Sequence, residues 1–221
     1  MDFSRVELSA EDDAFRAEVR EFLSKVVTED VIRRDRETGD NFDEDVHLAL
    51  GAAGYLEKEF KPESDGGFTR LQSRIWQLEK RRAEVPWVTW GTTIMIARSV
   101  AKFGSPEVVD EVMPRVFTGE VRMCLGYTEP EGGSDVATCK TRAVRDGDGW
   151  IINGSKMWIT NGSVADVAIV WARTDLEEGS RGVRGFVVPT DTRGFRSMVV
   201  KHKLSLRASI TAELSFEDMR L

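Results

Sequence analysis

With 221 residues, a formal net charge of −7 and a sequence pI near 5.1, the chain can form one large or two modest domains. It lacks the concentrated basic surface that a nucleic acid or an anionic membrane would require. No apolar run reaches the length of a bilayer span, and the acidic start MDFSRVELSAEDDAF has no apolar core of a signal or transit peptide, so a cytoplasmic protein with no nucleic-acid and no membrane partner is expected.

Taken in order, Ser9 is a suitable N-cap before Glu11, Asp12 and Asp13, whose charge suits the positive end of a helix. Phe15, Val19, Phe22, Leu23 and Val26 then recur at helical spacing. The charged stretch Glu29 to Asp40 reads as a solvated turn. Asp43 caps a second helix carrying Val46, Leu48 and Leu50, closed by Gly54 in a left-handed conformation. Lys61 to Gly67 reads as a loop. From Thr69 to Val85, Leu71, Ile75, Leu78 and Arg82 form one stripe and predict a third helix. An apolar helix follows from about Thr92 to Phe103, stopped by Gly104, and Ser105-Pro106 opens another through Val109, Val112 and Val116.

At Gly119-Glu120 the helical spacing gives way to short alternating runs, which places a domain boundary between residues 1–119 and 120–221. Strands are expected over Val121–Tyr127, Lys140–Arg145, Gly149–Asn153, Lys156–Thr160, Val167–Arg173, Gly185–Val188, Phe195–Val200 and Ala212–Phe216. Short strands without intervening helices predict an α+β chain: an all-helical N-terminal domain, then an antiparallel β-barrel or sandwich, not a parallel Rossmann sheet.

Two pieces within Met123 to Asn161 stand out. Gly126-Tyr127-Thr128-Glu129-Pro130-Glu131-Gly132-Gly133-Ser134-Asp135 has the Gly and Pro content of a turn that leaves a strand abruptly. Its backbone N–H groups, with the Thr128 and Ser134 hydroxyls, suit an anionic, oxygen-rich ligand. The second piece is Trp150 to Thr160, where Asn153-Gly154 has the residue choice of a two-residue hairpin turn. Alternation then puts Trp158 and Thr160 on one face, an aromatic plane beside a hydroxyl that would suit a flat heteroaromatic ring. Singly, a Gly/Pro turn more often only reverses the chain, and a strand Trp is more often core. Cys124 and Cys139 stand outside any metal-ligand spacing and read as reduced and buried; His47 and His202 are far apart, and no metal site is expected.

The pair YTEPEGGSD and NGSKMWITN, in that order and spacing, resembles the acyl-CoA dehydrogenase family, and the resemblance runs from the first helix to Leu221. It implies an FAD-dependent α,β-dehydrogenation of an acyl-CoA thioester, with electrons passing to an acceptor such as an electron-transferring flavoprotein. It further implies that Leu125, Tyr127, Thr128, Gly133, Ser134, Trp158, Ile159 and Thr160 contact the flavin, that Ser134 also meets the CoA of the substrate, and that Arg207 has a conformational role. Tyr127 departs from the small aliphatic residue usual at its position. The resemblance ends with the middle domain. The family's C-terminal helical bundle, which carries the catalytic base and most of the homo- or hetero-oligomer interface, is not matched here. No catalytic residue is therefore assigned, and the chain by itself is expected to be inactive. An oxidase or monooxygenase of the same fold and a non-catalytic half-subunit of a heteromer are the alternatives. The first part through SKMW is similar to steroid-side-chain dehydrogenases, while VRGFVV and KLSLRAS are similar to the glutaryl-CoA branch. Pro86, where that branch would place an arginine, speaks against a dicarboxylyl-CoA substrate.

Overall fold

The computed structural model describes residues 7–175, 177–206 and 209–221. Arg207, and the acidic start as far as Val6, lie outside the described residues. The chain divides into two compact units: Met1–Trp87 with Phe117–Gly119, and Val88–Val116 with Glu120–Leu221.

The first unit is helical. Helix α1 (Ala10–Val26) starts at Ser9, whose hydroxyl accepts from the Asp12 N–H, as the sequence suggests. The charged stretch read as a turn is instead helix α2 (Glu29–Thr38), capped by Thr28 and closed by Gly39 at φ 70°. Val31 is its one buried residue, so the helix shows no apolar stripe; its two caps define it. Helix α3 (Glu44–Ala52) is capped by Asp43, and Gly54 at φ 75° separates it from α4 (Tyr55–Phe60), too short to show a period. In α5 (Arg70–Arg82), Thr69 and Gln72 form a capping box. The buried face of α5 carries Ile75, Trp76, Glu79 and Lys80, whereas Leu78 of the expected stripe is exposed. Trp76 stacks on Tyr55 with centroids 4.7 Å apart, and both polar residues of that face are paired: Glu79 with Arg20, Lys80 with Glu59.

The second unit joins helices α6 (Val88–Phe103) and α7 (Pro106–Phe117) to a seven-stranded sheet. Its strands are β1 (Met123–Gly126), β2 (Arg142–Asp146), β3 (Gly149–Thr160), β4 (Val167–Arg173), β5 (Val183–Pro189), β6 (Phe195–Val199) and β7 (Thr211–Arg220). The order along the sheet is β1-β4-β2-β3-β7-β6, with β5 also on β4. Because β5 pairs along the whole of β4, β1 and β2 share the other edge: β1 in parallel over Val167 to Val170, and β2 in parallel at Arg173 alone. The helical half and the barrel-like β half are those the sequence predicts; the sheet is mixed rather than purely antiparallel. It curls around a core that includes Ile152, Ala168, Val170, Leu214, Phe216 and Met219. Each large apolar side chain there contributes roughly 1.5–3 kcal/mol.

One local expectation fails. Gly149–Asn153 and Lys156–Thr160 are not two arms of a hairpin but one strand, β3, and Asn153 lies opposite a bulge in β7, where Glu217 and Asp218 stand against that one residue. A Cβ on Gly154 would lie 2.6 Å from Thr141 Oγ1 and 2.7 Å from Thr141 Cα, so the glycine is required by a close backbone approach. The Asn153 amide is tied to Asp218 by two hydrogen bonds. The reversal occurs instead at Asp146-Gly147-Asp148-Gly149, where Gly147 has φ 61°.

Candidate functional site

Strand β1 delivers Leu125 and Gly126 to a segment whose ladder stops at once. Glu129 and Gly132 exchange backbone hydrogen bonds of 2.8 and 3.2 Å, closing a tight turn over Pro130 and Glu131. Asp135 then accepts from the Ala137 N–H, so its carboxylate shapes the loop. Glu129 is 8% exposed, and both its oxygens are engaged. Oε1 accepts from Lys156 Nζ (2.8 Å), Thr141 Oγ1 (2.6 Å), Thr141 N–H (2.9 Å) and the Cys139 thiol (3.2 Å). Oε2 accepts from the Lys140 N–H at 2.6 Å. Burial pushes this carboxyl upward, but the bonds from Lys156, Thr141 and the two backbone N–H groups outweigh it and hold the carboxyl at about 2. Neither cysteine is in a disulfide; burial raises the Cys139 thiol and pushes Cys124 up to about 12.

The facing segment belongs to β3. Its pairing with β7 slips between Lys156 and Ile159, and Trp158 has φ 64°. An aromatic residue rarely adopts that conformation, and here it breaks the expected alternation. Lys156 and Ile159 turn into the core while Trp158 remains 60% exposed. The Met157 N–H, freed from the ladder, donates to Thr128 O at 2.9 Å and ties the two segments together. Beyond Thr160, buried Asn161 at φ 64° donates to Thr89 O (3.0 Å) and Met123 O (3.2 Å), while Thr93 Oγ1 accepts from the Met123 N–H. Helix α6 is thereby fixed on β1.

Leu125, Tyr127, Thr128, Trp158, Ile159 and Thr160 line one cleft of about 340 Å³, with Thr92 and Met95 of α6 on its rim. Gly133 and Ser134 do not line it. A Cβ on Gly133 would meet Thr128 Cγ2 at 3.4 Å, and Ser134 is exposed in the loop that follows. Tyr127 sets its ring edge against Trp171 at 5.5 Å, which accommodates an aromatic side chain at a position where the sequence comparison led us to expect a small one. The hydroxyls of Thr128 and Thr160 have no hydrogen-bond partner among the described residues. A half-exposed indole, two free hydroxyls and aliphatic walls suit a flat, partly polar ring. Thr92, Met95 and Asn161 were missed in the sequence: the first two read only as part of a helix, and Asn161 only as the last residue of the second motif.

Comparison with known proteins adds the family. The model described as acyl-CoA dehydrogenase, N-terminal domain, matches residues 9–120, and that of the acyl-CoA dehydrogenase middle domain matches residues 124–219. The chain belongs to the acyl-CoA dehydrogenase family. A short-chain specific acyl-CoA dehydrogenase from Clostridium acetobutylicum is 32% identical over 222 residues, covering 99% of this chain and 57% of that protein. The structure of a glutaryl-CoA dehydrogenase from Mycobacterium smegmatis in complex with FADH2 aligns with TM-score 0.75 and 35% identity, over 97% of this chain and 54% of the other. The ChsE4-ChsE5 complex from Mycobacterium tuberculosis aligns with TM-score 0.78 and 27% identity, over 99% of this chain and 56% of the other. The chain therefore spans little more than half the length of the relatives it matches from end to end. Among the described residues no helix is long and apolar enough to cross a membrane.

Proposed function

We propose that the protein takes part in FAD-dependent α,β-dehydrogenation of an acyl-CoA thioester, with the cleft between Leu125–Thr128 and Trp158–Thr160 as the flavin side of the site. The observation that carries this reading is the convergence of two segments some thirty residues apart, each bearing a threonine hydroxyl with no partner among the described residues, on one cleft beside the exposed Trp158. The chemistry FAD supplies when bound is acceptance of the hydride that leaves the thioester's β-carbon.

This chain's residues have supporting roles. Trp158 offers a face for ring packing, and Thr128 and Thr160 offer donors toward negative charge that develops on a ring in the cleft. Gly133 and Ser134, in the exposed loop, are proposed as contacts for the pyrophosphate, and Ser134 also for the CoA of the substrate. No residue here is proposed as the base. Glu129, the carboxylate nearest the cleft in sequence, is hydrogen-bonded at both oxygens and held at about 2, too acidic to take an α-proton at neutral pH. The base would come from outside these 221 residues, from the same polypeptide or a companion chain, and electrons would leave to an acceptor such as an electron-transferring flavoprotein. The similarity to a two-protein complex favours, as a second reading, a subunit that supplies half of a heteromeric site.

The test is to purify the protein with any chain that accompanies it, measure its FAD, and add a series of acyl-CoA thioesters anaerobically. Bleaching of the flavin by at least one thioester is expected. Absence of FAD, or bleaching by none of the series, would defeat the proposal.

A further inference from the structure

The Glu129–Lys156 pair is a heavily bonded buried group in the second unit, and its position relative to the cleft gives it a task beyond cohesion. Lys156 is completely buried, and its stem runs beneath Gly126, where a Cβ would lie 3.4 Å from Lys156 Cγ. Its ammonium reaches three groups: Glu129 Oε1 at 2.8 Å, the Tyr127 carbonyl oxygen at 3.4 Å and Cys139 Sγ at 3.5 Å. The contact with Tyr127 O bears on the cleft. No cis peptide occurs among the described residues, so the Tyr127 C=O and the Thr128 N–H stand on opposite sides of one planar peptide. Lys156 holds the oxygen side from within the core. The N–H side has no partner among the described residues, and it belongs to a residue that lines the cleft.

A cation at a carbonyl oxygen draws electron density through the amide and makes its N–H a stronger donor. It also resists rotation of that peptide, which would strip the ammonium of a partner. Glu129 is what holds the ammonium in place, because its carboxylate is the countercharge 2.8 Å away inside the core. The two groups thus bear on the orientation and the strength of one donor.

We propose that Lys156, held by Glu129, is a positioning residue that fixes and polarises the Tyr127–Thr128 peptide so that the Thr128 N–H would be a preset donor to a flavin held in the cleft. This rests on the cofactor reading above. It also separates two roles of Thr128, since the hydroxyl and the backbone N–H would be set by different parts of the structure.

The experiment uses the protein purified with any chain that accompanies it, stripped of flavin and titrated with FAD. Parent, Lys156→Met, Glu129→Gln and the charge-neutral double variant are compared in thermal midpoint, FAD Kd and flavin midpoint potential. The single variants leave one buried group unpaired and are expected to lose stability. The double variant is expected to recover most of it, yet to bind FAD about tenfold more weakly, the equivalent of one lost charge-assisted donor. Its flavin potential is expected to be more negative than the parent's. A double variant with parental thermal midpoint, parental Kd and parental potential would overturn the proposal and leave the pair a cohesive element only.

Amide exchange in the parent gives a measurement that needs no variant to fold. Slower exchange of the Thr128 N–H on adding FAD is expected, and unchanged exchange at saturating FAD would overturn the proposal. Failure of the parent to bind FAD at all would be seen first, and would refute the cofactor reading together with what rests on it.

Discussion

Glu129→Gln tests how the turn after β1 is held. In the native protein the carboxyl is held at about 2, against 4.5 when free, so its folded pKa is depressed. A depressed carboxyl stabilises the fold above its unfolded value, and this contribution falls away as pH drops through the interval between the two. The full contribution is of the order of 3 kcal/mol at neutral pH, and between pH 7 and pH 3.5 about 1.4 kcal/mol of it should vanish. Viewed from the other partner, replacement by Gln leaves Lys156 buried without its countercharge, a cost of roughly 3–5 kcal/mol that contains this same pairing energy. Urea unfolding of parent and variant at pH 7, 5 and 3.5 should therefore show a large stability difference that narrows toward acid, most of the narrowing coming below pH 5. A difference that stays constant from pH 7 to pH 3.5 would refute this account of the Glu129 site.

Gly154→Ala should destabilise the protein by roughly 2 kcal/mol or more, because its Cβ would lie 2.6 Å from Thr141 Oγ1 and 2.7 Å from Thr141 Cα; an unchanged urea midpoint would contradict that close approach. Trp158→Ala should weaken flavin retention by roughly 1 kcal/mol of aromatic packing beyond the area lost, read as a higher Kd in an FAD titration, while the exposed position spares the fold. The 221-residue chain purified alone should retain little FAD and show no acyl-CoA dehydrogenase activity, since an open cleft leaves a bound ring to water; robust turnover by that chain would overturn the expectation.

What could be read from the sequence depended on whether the signal was local. The caps at Ser9 and Asp43 are local chemistry, and each marks its helix start within a residue. Helix α2 was missed because one buried valine makes no period, although Thr28 and Gly39 were available as caps. The Asn153-Gly154 error arose the same way from the other side: the dipeptide favours a tight turn, but Thr141 across the sheet needs the space and Asp218 takes the amide. The parallel contact of β1 with β4 joins strands forty residues apart and leaves no local trace. Within the cleft, the two motifs identified most of the lining, whereas the left-handed Trp158 and the contributions of Thr92, Met95 and Asn161 arise only from the packing of α6 and β3.

The central claim is that the turn after β1 and the end of β3 serve one flavin. Its most direct test is the midpoint potential of FAD bound to four forms of the protein, purified with any accompanying chain: parent, Thr128→Val, Thr160→Val and the double variant. Each single variant removes a hydroxyl at nearly constant shape, so a more negative potential is predicted for both, with the double variant departing from the sum because the two donors act on one ring. Parental potentials in both single variants, with folding intact, would contradict the claim.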